Sequence, residues 1–128
     1  MTEFAKAKKT DLLIAIGGGS AIDATKAVRV LLSGGGAISD YEGMDKITKT
    51  TVPMIAIPTT SGTGSEVTSF SIVSDRARKR KMVLAGRAIA ADVALVDPLL
   101  TLSMPQSVTA STGMDAMTHA IEAALSTI

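Results

Sequence analysis

Asp115 and His119 stand four positions apart in the run Thr112-Gly113-Met114-Asp115-Ala116-Met117-Thr118-His119-Ala120-Ile121-Glu122-Ala123, and His119 is the one histidine of the chain. On a helix, positions i and i+4 project from the same face, a turn apart. A carboxylate oxygen and an imidazole nitrogen placed so can coordinate one divalent cation. The same spacing suits an exposed pair that meets only through solvent. Two protein ligands also make no more than half of a lasting metal site.

Two earlier segments point to a different chemistry. Gly17-Gly18-Gly19-Ser20 follows a short apolar run and precedes a helical pattern. Glycine lets the backbone turn tightly and lets a ligand approach closely, and a helix N-terminus offers free amides and partial positive charge to a pyrophosphate. Ser20 is placed to cap that helix, with Asp23 three residues later as in a capping box. A tight capped turn with no ligand satisfies the same residues, and the pattern is not the Gly-x-Gly-x-x-Gly dinucleotide fingerprint.

The second segment is Pro58-Thr59-Thr60-Ser61-Gly62-Thr63-Gly64-Ser65-Glu66-Val67-Thr68. The hydroxyls of Thr59, Thr60, Thr63, Ser65 and Thr68 can bond phosphate, ribose or a carboxamide, or else cap the local backbone. In open α/β sheets ligands bind where such a loop leaves the carboxyl end of a strand. Together the two loops suit one extended nucleotide better than either does alone.

The elements that must position these residues follow from the apolar pattern. Residues 11–16 and 52–58 are continuous apolar runs without polar alternation, the mark of strands buried on both faces of a parallel sheet. Residues 1–10 read as the end of a helix. A helical pattern from residue 20 to about 32, with Ile22, Ala27, Val30 and Leu31 as its inner stripe, ends at Gly34-Gly35-Gly36. A polar loop over 39–51 follows. Residues 67–74 and 81–84 form a hairpin about a turn at 75–80, and 93–96 is a further strand. Pro105 opens a helix that ends near Thr112 or breaks at Gly113, with strong helical character from Met114 onward. Strands alternating with helices through glycine-rich turns define an α/β fold with a parallel sheet.

Composition narrows the rest. The chain has 128 residues, 46% hydrophobic, 2% aromatic, no cysteine and a net charge of +1. The length suits one domain, and the core must be built from Ala, Val, Ile, Leu and Met. Disulfides and thiolate metal sites are excluded. No apolar run approaches a membrane span and no signal pattern opens the chain, so a cytoplasmic protein is expected. Arg76, Arg78, Lys79, Arg80 and Lys81 crowd the hairpin turn. With no aromatic residues among them and a near-neutral chain, they read as a solvated tip rather than a nucleic-acid patch. Lys81 begins the second hairpin strand, from which it can point back to the sheet edge.

Taken together, Ala15-Ile16-Gly17-Gly18-Gly19-Ser20-Ala21-Ile22-Asp23, the Ile57 to Thr68 run and the Thr112 to Ala123 run resemble the iron-containing (group III) alcohol dehydrogenases, in the family's order. The resemblance implies an NAD(P)-binding α/β domain, here residues 1–104, followed by the start of an all-helical metal-binding domain, here 105–128. It implies that Gly18, Gly19 and Ser20 hold the pyrophosphate with Asp23 nearby. Thr59, Thr60, Thr63 and Thr68 would line the cofactor cleft, and Lys81 and Leu99 would touch the cofactor further along. Asp115 and His119 would ligate iron, or zinc. The implied activity is hydride transfer between NAD or NADP and a small alcohol, aldehyde or ketone. No catalytic side chain beyond the metal ligands is assigned.

The chain departs from the family in length and in lacking the further histidine ligands that the helical domain supplies. It therefore reads as an internal fragment, inactive alone, with an open sheet edge that invites self-association or homo-oligomers. A dehydroquinate-synthase-like lyase and a non-catalytic nucleotide-binding module are the alternatives.

Overall fold

The computed structural model describes residues 1–127. A short helix α1 (Thr2–Ala7) leads to strand β1 (Leu13–Gly17), then helix α2 (Gly19–Gly34), a short strand β2 (Gly43–Met44) and strand β3 (Met54–Pro58). Strands β4 (Phe70–Asp75) and β5 (Arg80–Ala85), a two-residue strand β6 (Val93–Ala94) and helix α3 (Gln106–Leu125) complete the chain. Single 3-10 turns lie at Ile38–Tyr41, Arg87–Ile89 and Pro98–Thr101.

The apolar runs at β1 and β3 pair in parallel, from Leu13 opposite Met54 to Gly17 opposite Pro58, and β6 joins the other side of β3. The order β1-β3-β6 leaves β1 at an edge. The expected hairpin is present as antiparallel β4 and β5. The loop after α2 adds β2 in parallel to β5, a strand too short to show any periodicity in the sequence. Helix α2 packs against β1, β3 and β4, and so lies between the two sheets. On one side Ile22 meets Ala15, Met54 and Ala56; on the other Ala27 and Val30 meet Ile47, Leu84 and Ile89. Three of the four expected stripe residues are thus buried, and Leu31 is half-buried.

Two expectations are corrected. β1 is buried on one face only: Ala15 turns to α2, whereas Ile14 and Ile16 are 54% and 64% exposed. An uninterrupted apolar run tells that both faces of a strand are apolar, and no described element covers the second face. The C-terminal segment is one unbroken helix through Gly113, because a lone glycine in a helix interior costs only about 1 kcal/mol. No described helix is long and apolar enough to cross a membrane.

Three charged residues on the buried side of α2 tie the layers together. The Arg29 guanidinium donates to Val52 O, to Ala90 O and to Asp92 Oδ2, each at 2.6 Å. Asp92 Oδ2 also accepts from the Met54 amide at 2.7 Å. This knot joins α2 to the starts of β3 and β6. Burial pulls the Asp92 carboxyl upward, but the Met54 amide and the Arg29 guanidinium outweigh it and hold the carboxyl below its ordinary range.

Arg29→Met is expected to lower the unfolding free energy by about 2–4 kcal/mol, since two carbonyls and a carboxylate lose their donor. Thermal denaturation checks this. Because the Asp92 pKa is depressed in the folded state, its stabilisation is present above the ordinary carboxylate value of about 3.9 and fades as pH falls through the lower folded value. Asp92→Asn should flatten that part of the stability–pH curve.

Candidate dinucleotide cleft and metal-ligand pair

The parallel register ends β1 and β3 side by side, so the turn after Gly17 and the loop after Pro58 leave the same sheet edge. The Thr59 amide donates to Gly17 O at 3.0 Å, which starts the second loop over the first. Contact between them is tight. A Cβ at Gly18 would stand 3.1 Å from the Thr60 side chain, and one at Gly19 would stand 3.0 Å from both Thr63 Oγ1 and Ser65 Oγ. Side chains are absent from the turn where the hydroxyl-bearing loop crosses it.

The expected cap is not formed. The N-cap of α2 is Gly18, two residues before the expected Ser20, and no side chain caps it. Ser20 therefore lies within the first turn, exposed, and Asp23 turns away from the helix start. Asp23 Oδ2 accepts from the Ile72 amide at 3.0 Å, and its backbone carbonyl accepts from Ser71 Oγ at 2.9 Å. Its second oxygen lies 4.0 Å from the Lys26 ammonium. Burial pushes the Asp23 carboxyl up and the Lys26 ammonium down, each opposed by their mutual attraction.

Among the loop hydroxyls, Thr63 Oγ1 accepts weakly from the Ser65 amide at 3.4 Å, and Thr68 faces Lys26. Thr60 Oγ1 and Glu66 Oε2 are buried without a hydrogen-bond partner. Both residues line a cavity of about 170 Å³ that is closed on its other side by Asp97 and Thr101. Leu99 lies exposed on the 3-10 turn between them, its amide donating to Asp97 Oδ1 at 2.9 Å. Lys81 pairs with Ser74 across the hairpin, and strand alternation puts both on the face of Ile72. Ile72 and Ser74 line a small hollow with Ser20 and Ala24 of α2, so the Lys81 face flanks the start of that helix. The remaining cations of the tip are partly neutralised: Arg78 pairs with Asp75 and Glu42, and Arg80 with Glu42.

Asp115 and His119 lie one turn apart on α3, both exposed. The helix meets the threonine loop where Gly62, with φ +139°, faces Thr112; a Cβ there would fall 2.1 Å from Thr112 O. That contact lies less than one turn before Asp115. Among the described residues no group of three or more His, Cys, Asp and Glu is arranged to hold a metal. Lys26, Arg29, Asp92 and Glu66 were not singled out by the sequence. The available signal was a cation at positions 26 and 29, inside the apolar stripe of α2.

A glycine turn and a hydroxyl-rich loop converging at the carboxyl edge of a parallel sheet define a nucleotide-binding α/β unit. A model of the iron-containing alcohol dehydrogenase family matches residues 1–98, and the chain belongs to that family. It is 48% identical over 118 residues to the NAD-dependent methanol dehydrogenase of Bacillus methanolicus, covering 92% of this chain and 31% of that protein. It is 49% identical over 126 residues to long-chain-alcohol dehydrogenase 1 of Geobacillus thermodenitrificans, covering 96% of this chain and 31% of that one. Among solved structures it superposes on 1,3-propanediol oxidoreductase with a TM-score of 0.93 at 34% identity, covering 98% of this chain and 33% of that chain. Sulfoacetaldehyde reductase from Bifidobacterium kashiwanohense, solved in complex with NAD+, gives 0.84 at 40% identity, covering 94% of this chain and 32% of that one. The chain thus spans about a third of the length of the relatives it matches.

Gly62→Ala is expected to push α3 off the threonine loop, both by steric overlap and by the strained backbone, at about 2 kcal/mol. A lowered melting temperature together with faster proteolysis within 106–125 checks it; an unchanged melting temperature would show that the contact does not hold the helix.

Proposed function

We propose that this chain is the dinucleotide-binding part of a metal-dependent NAD(P)-linked alcohol dehydrogenase, together with two of its metal ligands. The observation that carries this reading is the crossing of the threonine loop over the Gly18–Gly19 turn, with Thr60 Oγ1 buried there and unpartnered. A pyrophosphate accepts hydrogen bonds and carries negative charge. The uncapped start of α2 and the Thr60, Thr63 and Ser65 hydroxyls are donors suited to it. Ser20 lies in the first turn of α2, and Lys81 shares the hairpin face that borders it; a cation reaching that start would favour a phosphate. Thr59 and Leu99 are assigned to contacts further along the dinucleotide. Thr68 and Asp23 act from behind, through their bonds to Lys26 and to β4.

Asp115 and His119 offer a carboxylate oxygen and an imidazole nitrogen, the donor types that iron(II) and zinc share. When bound, the dinucleotide supplies hydride chemistry and the cation Lewis acidity at a substrate oxygen. The chain's own contribution is to bind and orient the dinucleotide and to present Asp115 and His119 on a helix that starts beside the threonine loop. The substrate class is a small alcohol, aldehyde or ketone. The domain division follows at 1–104 and 105–128, and the open β1 edge offers a route to self-association. With two ligands, metal binds weakly and turnover by this chain alone is expected to be absent, which is how a non-catalytic nucleotide-binding module would also behave.

Calorimetric titration with NADH should show binding that Gly19→Val weakens by at least about tenfold, because the added side chain fills the cradle. Titration with Zn2+ should show weak binding that Asp115→Ala or His119→Ala abolishes while NADH binding persists. A chain that binds no dinucleotide at all would contradict this assignment.

A further inference from the structure

Residues 59–69 form neither helix nor strand, so their place over the Gly18–Gly19 turn depends on what they are tied to. One tie is the Thr59 amide on Gly17 O. At the other end the Gly86 amide donates to Ser69 O at 3.1 Å, and beside it stands Lys26, whose side chain is completely buried. Its Nζ donates to Thr68 O at 2.8 Å, to Phe70 O at 2.6 Å and to Thr68 Oγ1 at 3.3 Å. Those contacts occupy all three ammonium protons. One turn earlier, Asp23 takes Ser71 and Ile72. Two charged residues of α2 therefore grip the chain at 68–72, where the irregular loop becomes β4. Lys26 itself lies about two turns along the helix from Gly19, too far to touch a ligand held at the turn.

We propose that Lys26 is a positioning residue: by holding the Thr68 and Phe70 carbonyls it sets how closely Thr60, Thr63 and Ser65 approach Gly18 and Gly19, and so sets the width of the cleft for the pyrophosphate of a nicotinamide dinucleotide. The proposal rests on the dinucleotide reading above and extends it to a residue outside ligand contact. Lysine suits the task because one flexible ammonium directs three donors to acceptors in different directions, which a planar guanidinium fork cannot reproduce. Methionine would fill a similar volume but leave two carbonyls and a hydroxyl without the donor that a completely buried ammonium now supplies.

Lys26→Met in the full chain tests this with two readouts, taken at a temperature where both proteins are folded by circular dichroism. Amide hydrogen exchange without ligand should accelerate by about tenfold or more over residues 59–72 and stay unchanged in β1 and β3. The NADH dissociation constant from fluorescence titration should rise by about tenfold or more. Unchanged exchange over 59–72 overturns the proposal. So does faster exchange with NADH affinity within about twofold of the unsubstituted chain, which leaves Lys26 a purely structural residue. Acceleration spread equally through β1 and β3 also overturns it, as a global loss of stability. If the unsubstituted chain fails to bind NADH, the dinucleotide reading falls, and with it the ligand role of Lys26; the exchange pattern then decides separately whether Lys26 holds the loop. Should Lys26→Met not fold, Lys26→Gln, whose amide keeps two of the three donors, is read in the same way, with changes of about threefold expected and no change overturning the proposal.

Discussion

The arrangement depends on charges that α2 carries into the interior. Asp23, Lys26 and Arg29 occupy the buried side of one helix, and each is bonded to backbone outside that helix. The apolar clusters on either side of α2 are small, and the chain is 2% aromatic, so packing alone has little large surface to work with. Removing a lysine and an arginine from water is costly unless their charge is met by acceptors. Here all three ammonium protons of Lys26 and three of the five guanidinium N–H groups of Arg29 find acceptors, while Asp23 Oδ1 has no hydrogen bond and faces the Lys26 ammonium at 4.0 Å. The satisfied charges convert a helix lying between two sheets into a fixed frame.

Function follows from what that frame holds still. Arg29 fixes the entry of β3 and β6, so the carboxyl ends of β1 and β3 stay level. Asp23 and Lys26 fix the far end of the threonine loop. The two loops then meet at one edge with hydroxyls against glycines, a contact any larger residue at 18 or 19 would prevent. The helix with Asp115 and His119 touches the same loop at Gly62, so that pair is joined to the loop crossing through one contact.

Apolar surface remains outside this frame. Ile14 and Ile16 on β1, Ile72 and Val83 on the hairpin, and the stripe Met114, Met117, Ile121 and Leu125 on α3 are all about half exposed or more, Val83 the least at 43%. A stripe at helical spacing is the pattern of a helix that packs against a partner. The chain spans about a third of the relatives it matches, and such surfaces are what a larger assembly of the same fold would bury.

Strands, helices and hairpin were legible in the sequence because their apolar periods and glycine breaks are local. The stripe Ile22, Ala27 and Val30 was readable for the same reason. The chemistry of the Gly17 turn, the Thr59 loop and the Asp115–His119 spacing was also written locally, in residue types and intervals. Three-dimensional contact decided the rest. Whether both faces of β1 are covered depends on which elements come to rest on them, and one face is bare. The cap of α2 falls at Gly18, two residues before the expected Ser20, and Asp23 is engaged by Ile72 and Lys26, partners distant in sequence or invisible to a capping pattern. Lys26 and Arg29 are marked in the sequence only by their place inside the apolar stripe; their acceptors lie more than twenty residues away, and only the folded chain brings them within hydrogen-bond reach.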